Sequence, residues 1–381
     1  MSKQTRISNS DKLSVLEKLK RFSFPSFFFL LMIFTISEFV LFSAGGGNWK
    51  PFALSQLIKI FFSFIIYFLA TFINIKFWIK SSYFIYIFTF ILIFLVTFIG
   101  HKGMGAQRWL NLGFIHIQPS ELIKVSIVLI LARYFAWKNS VESAQLKNYL
   151  IPILIVLLPF LLIMLQPDLG TALSIVIISI GIFYIAGAKK QWFIIGSILA
   201  ILSTPIIWFV GLHDYQKNRI ITFLNPDHDI RKTGYQINQA KIAFGSGGFT
   251  GKGFISGTQS QQSFLPEKHT DFIFTMIGEE FGFIGAILLL SLYTTLFFIL
   301  YFISKSSRNR FGQLFCFGFM LNFFTYYFIN ISMVLGIIPT VGVPLPLVSF
   351  GGSSLLSLMF GFGLCQNVNI NKEQQLSAKG L

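Results

Sequence analysis

The sequence predicts an all-α integral membrane protein with about ten transmembrane helices and a large extracytoplasmic loop between helices 7 and 8. Three observations predict it. Only 12% of the 381 residues are charged and 54% are hydrophobic, where a soluble domain carries roughly 25% charge. Apolar runs long enough to cross a hydrocarbon core, about twenty residues each, recur along the chain. Between them, residues 213–273 form one long polar stretch, far more than a chain needs to turn round at a membrane surface.

In order, the apolar runs fall at 23–44, 54–73, 82–100, 119–137, 149–165, 169–187, 191–212, 274–303, 312–337 and 345–367. Pro167 and Gly170 supply the break between the fifth and the sixth. The net charge of +16 does not point to nucleic acid, because the basic residues sit in short segments between apolar runs. Seventeen lysines and arginines fall on the N-terminal side, whereas the short opposite loops hold only Lys50, Lys102 and Arg108. The positive-inside rule then places both termini in the cytoplasm. The chain reads as one membrane domain over 1–381, with cytoplasmic tails at 1–22 and 368–381 and no cleavable signal sequence. No internal repeat supports an inverted-repeat transporter. Cys316 and Cys365 lie in apolar runs and read as small buried hydrophobes. The 48 Phe residues suit a lipid-facing surface.

The polar stretch holds the candidate chemistry. Its glycine-rich run, Gly245 to Gly253, fails as a nucleotide phosphate loop, because Ser246 stands where glycine is needed and Gly253 follows Lys252. It reads as a flexible connection, or as a backbone cradle for an anion with Lys241 and Lys252 beside it. Asp271 stands where the eighth apolar run begins. A carboxylate at that lip loses hydration and becomes a better base, but aspartate is also a favoured helix cap. His269 is the competing proton-transfer group. Glu279 and Glu280 follow in the same helix and either cap charge or face a cavity.

Charges also enter the membrane. Glu121 and Lys124 are three apart and share a helix face, either as a neutralising pair or as the wall of a polar cavity. Asp168 caps the sixth span or lines that cavity. Arg108 and Trp109 suit an interfacial stretch able to meet a phosphate. Three prolines and three glycines between Pro339 and Gly352 preclude a regular helix start, and irregular backbone at membrane depth belongs where it lines a wet cleft.

Taken together these segments resemble the SEDS family (shape, elongation, division and sporulation). The resemblance rests on Arg108-Trp109, Gln118 to Glu121, Gln166 to Thr171, Tyr215-Gln216 with Arg219, Asn225-Pro226 and Gly234 to Gln236. It continues through Gly245 to Gly253, Gly257 to Ser260, Leu265 to Phe274, Gly342 to Pro346 and Ser349 to Gly352. Gly257 to Ser260 and the Val343 to Pro346 run are similar to the elongation branch more than to the division branch. Ile230, Gln261 and Gln262 depart from the usual pattern. The resemblance implies a bacterial inner-membrane glycosyltransferase that polymerises lipid II, an undecaprenyl-pyrophosphate-linked disaccharide-pentapeptide, into β-1,4 peptidoglycan glycan. It implies Asp271 as the essential loop carboxylate and general base. Glu121, Lys124 and Asp168 match polar positions of the central cavity. Arg108, Arg219, Lys241 and Lys252 are the candidates to meet pyrophosphate charge, with Gln259, Ser260, Glu267, Lys268, His269 and Thr270 completing the substrate site. The implied partners are a class B penicillin-binding protein, met through helices 8 and 9, and the elongation machinery. No cofactor is specified by any cluster, and a divalent cation, Mg2+ or Mn2+, is compatible with the leaving group. A lipid II flippase, a non-catalytic scaffold and the division branch remain the alternatives.

Overall fold

The computed structural model describes residues 13–103, 106–111, 113, 116–225, 233–261 and 267–374. Lys3, Arg6, Lys12, Pro226, Ile230, Gln262, Leu265, Pro266 and Lys379 lie outside these residues. A short capped helix α1 (Val15–Lys20) precedes α2 (Phe24–Ala44), α3 (Ala53–Phe72) and α4 (Ile75–Ile99). After an antiparallel sheet of β1 (His101–Gly103), β2 (Ala106–Asn111) and β3 (His116–Ile117), α5 (Pro119–Ala136) re-enters the bundle. A short α6 (Ser140–Ser143) leads to α7 (Leu150–Leu165), α8 (Leu169–Ala186) and α9 (Lys190–Ile206). The polar stretch contains α10 (Asp214–Leu224), α11 (Thr233–Ser246) and α12 (Thr258–Gln261). The chain closes with α13 (Ile273–Ser306), α14 (Arg310–Val334) and α15 (Ser353–Ile370).

Eight of these helical stretches are long and apolar enough to cross a membrane. α5 and α15 are not among the eight, yet both are packed inside the bundle. α5 buries 14 of its 18 residues against α4, α8, α14 and α15. α9 is the opposite case and buries none of its side chains. A membrane helix needs no apolar burial, because lipid solvates leucine as well as protein does.

Two helix boundaries are corrected, and the outer connection after α4 carries a small sheet within this all-α membrane fold, with Arg108 and Trp109 on β2. The third span starts at Ile75, not near 82: Asn74 caps it by accepting from the Lys76 amide at 2.9 Å. The last helix starts at Ser353, not near 345, because Pro344 and Pro346 remove backbone donors.

The glycine-rich run is built as a backbone clasp on α13. α13 breaks at Gly282 (φ 64°, ψ −159°), which releases backbone groups that an apolar environment cannot satisfy. Residues 248–253 supply the partners. The Lys252 and Gly253 amides donate to the Glu279 and Glu280 carbonyls at 3.0 Å, and Phe283 and Ile284 donate to the Gly248 and Phe249 carbonyls. Gly247 and Gly251 lie so close to this break that a Cβ on either would overlap the α13 backbone.

Candidate active site

Asp271 sits one residue outside α13. The cap position itself is Phe272, which makes no side-chain cap bond, so Asp271 is not committed to starting the helix. Among the described residues its carboxylate takes part in no side-chain hydrogen bond. Its backbone carbonyl accepts from Asn330 Nδ2 at 2.9 Å, and the same amide group donates to the Val343 carbonyl at 2.8 Å. The irregular 339–352 segment is thus tied to the loop carrying Asp271. Ser349 Oγ donates to the Thr270 carbonyl at 2.6 Å, and the Phe350 amide to the His269 carbonyl at 2.9 Å. Gly342, at φ 79°, leaves room in front of the carboxylate: a Cβ there would stand 3.4 Å from Asp271 Oδ2.

Burial pushes the Asp271 carboxyl up to about 6, and the nearby Glu267 adds to this, while Arg219 and Arg108 oppose it. These four groups and Asp168 share one neighbourhood. Arg219 Nη1 donates to the Thr340 and Val341 carbonyls at 3.1 and 3.3 Å. Arg108 donates to the Gln166 and Pro167 carbonyls and lies 3.9 Å from Asp168. Tyr215 OH reaches the Pro167 carbonyl at 2.7 Å. Asp168 accepts from the Thr171 amide at 3.3 Å as the α8 cap, and its carboxylate also meets Gln118 and Arg108. The arrangement is a half-buried carboxylate with two guanidinium groups in its neighbourhood, each with donors left over.

Other residues singled out in the sequence are placed differently. Glu121 and Lys124 form a buried ion pair at 2.8 Å, Tyr326 OH donates to Glu121, and Lys124 Nζ lies 3.8 Å above the Tyr326 ring. Lys252 pairs with buried Glu279 at 2.9 Å. The same carboxylate accepts from the Gln259 and Ser260 amides at 2.9 and 3.0 Å. Lys268 donates to the Ser260 carbonyl at 2.6 Å. Lys252, Gln259, Ser260 and Lys268 therefore build a knot around Glu279 that holds the loop. Glu280 accepts from Ser43 Oγ, so Glu279 meets a charge and Glu280 a hydroxyl. Lys241 is exposed, its stem packed on Gly336. His269 stacks on Phe52 at 4.2 Å, and burial lowers its affinity for a proton. Thr270 Oγ1 donates to Glu267 Oε2 at 2.8 Å. Two residues escaped the sequence reading, Tyr326 and Asn330. Their available signal was polarity at a four-residue spacing within one apolar run.

A polytopic helical membrane protein with a carboxylate and two arginines gathered beside its largest insert has the form of a membrane-embedded enzyme. The chain belongs to the cell cycle protein family of FtsW, RodA and SpoVE, whose model matches residues 20–374. It is 41% identical over 290 residues to the peptidoglycan glycosyltransferase MrdB of Escherichia coli K12, covering 76% of this chain and 78% of that protein. It is 36% identical to MrdB of Helicobacter pylori, over 91% and 90% of the two chains. Among solved structures it resembles a chain described under "Structural coordination of polymerization and crosslinking by a peptidoglycan synthase complex". That likeness has TM-score 0.81 and 27% identity, over 93% of this chain and 99% of the other. It also resembles the Thermus thermophilus rod shape determining protein RodA, with TM-score 0.69 and 25% identity over 93% and 98%.

Proposed function

We propose that this chain is a peptidoglycan glycosyltransferase that polymerises lipid II during cell elongation, with Asp271 as general base. The observation that carries the base assignment is the uncommitted, half-buried Asp271 carboxylate within the electrostatic reach of Arg219 and Arg108. Asp271 takes the proton from the 4-hydroxyl of the acceptor GlcNAc. The freed oxygen attacks the anomeric carbon of the lipid-linked donor. The bond from that carbon to the pyrophosphate breaks, and its electron pair leaves with the pyrophosphate. One displacement inverts the α-linked donor to a β-1,4 bond without a covalent intermediate. Arg108 and Arg219 meet the departing charge. Glu279 leaves Lys252 no such freedom. Titrating Mg2+ and Mn2+ into chelator-treated protein tests whether a cation shares this task.

In this reading α5 and α15 also cross, giving ten spans with both termini cytoplasmic; a reporter fused to the C-terminus tests the sidedness. A class B penicillin-binding protein meets the eighth and ninth spans, where α13 and α14 leave Phe298, Phe302, Phe324 and Phe328 exposed. The decisive experiment incubates purified protein with lipid II, with and without that partner, and separates glycan on a gel. Wild-type protein is expected to give polymer and Asp271→Asn none; equal polymer from both would remove Asp271 from the base role. A flippase reading needs the Glu121–Lys124 wall open to substrate, whereas Tyr326 closes that pair.

A further inference from the structure

We propose that the cavity between α2 and α3 is a lipid site that selects a headgroup bearing a primary ammonium, with Glu38 as the recognising carboxylate. The cavity has a volume of about 450 Å³ and is walled almost wholly by apolar side chains. Glu38 lines it, and both of its carboxyl oxygens are buried without a hydrogen-bond partner among the described residues. Ionisable groups within membrane spans are rare and by default mark function. An ionised carboxylate only accepts hydrogen bonds, so the missing partner is a donor. Thr35 does not supply it, because its hydroxyl already donates to the Leu31 carbonyl at 2.9 Å.

The walls narrow the chemistry. Phe42 packs on Trp49 at 5.3 Å and stacks on Phe254 at 6.2 Å, while Phe39 meets Phe254 edge-on at 6.0 Å. One carboxylate in a cavity lined by several aromatic rings suits an ammonium. Trp49 and Phe254 come from segments outside the spans and roof the cavity on the side of the 213–273 insert. A partner helix, 10–12 Å across, would have to pass through that roof, whereas a lipid enters sideways between exposed Leu31 and Leu57. Polarity runs the right way. Glu38 lies six residues before the α2 end at Ala44, about 9 Å along the axis. Leu31 and Phe64 line the cavity farther from the roof, where acyl chains would run.

The test is retention of lipid by the full chain after delipidation. Detergent-solubilised protein is titrated with phosphatidylethanolamine, phosphatidylcholine or phosphatidylglycerol, and adducts are counted by native mass spectrometry. Phosphatidylethanolamine is expected to be retained at least tenfold better than the other two. Glu38→Gln should remove that preference and leave phosphatidylglycerol retention unchanged. Leu57→Trp, which fills the cavity from the other wall, should abolish retention without touching the carboxylate, and a melting curve checks that both variants fold. Equal retention of the three lipids, or an unchanged preference in Glu38→Gln, overturns the proposal. So does displacement of the bound lipid by a lysine-bearing transmembrane peptide, which would make the site a helix-docking site. None of these readings depends on catalysis, so they stand apart from the polymerisation assay.

Discussion

Asp271 and His269 lie two residues apart, and burial raises the Asp271 carboxyl to about 6 while it lowers the His269 imidazole, so either could impose an acid limb on activity. Their surroundings separate them. The His269 ring is stacked on Phe52 and meets Phe350 edge-on, while the Asp271 carboxylate makes no side-chain hydrogen bond among the described residues and only a glycine, Gly342, stands against it. Activity should therefore fall as pH drops through about 6, and His269→Phe should keep that limb. Because Arg219 holds the Asp271 carboxyl down, Arg219→Met should move the limb to higher pH in a rate profile. Asp271→Asn should cost 10²–10⁴ in rate, the usual worth of a positioned base. The sign of its stability effect also follows. A folded-state pKa raised above the usual aspartate value means that the ionised form is disfavoured on folding. Stability is then lost as pH rises from about 4 through 6. Asp271→Asn should accordingly melt higher than wild type at pH 8 and no higher at pH 4.

At the level of elements, the broken α13 and its glycine-rich clasp act as one unit. Gly251→Ala places a methyl against the Glu280 carbonyl and distorts a φ of 83°. A lowered melting temperature is expected, with any surviving polymerase activity showing an unchanged pH profile. The Glu121–Lys124 pair behaves differently. Lys124→Met strands a buried carboxylate, with a destabilisation of about 3–5 kcal/mol, whereas a Glu121→Gln, Lys124→Met double variant should recover much of it; thermal melts of the three proteins decide. Most of the elements were legible in the sequence because twenty-residue apolar runs are a strong signal. Asp271, Arg108 and Arg219 were legible through their motifs. What the sequence hid were partnerships across long separations. Nothing local says that Lys252 belongs to Glu279, 27 residues away, or that the glycines repair a helix. Glu38 passed unremarked because one acid does not interrupt an apolar run.

Across the whole molecule, the bundle is anchored unevenly. α5 is sealed inside, while α9 buries none of its side chains and leads through a π-helical turn at Ile207–Gly211 to α10, which carries Tyr215 and Arg219. A helix held by few protein contacts adjusts its tilt to bilayer thickness. One arm of the cleft thus hangs from the part of the protein most obedient to the surrounding lipid. Vesicles built from progressively longer acyl chains should change the substrate KM of wild-type protein, and the change should shrink in Arg219→Met. The enzyme would then report on the thickness of the membrane that supplies its own building blocks.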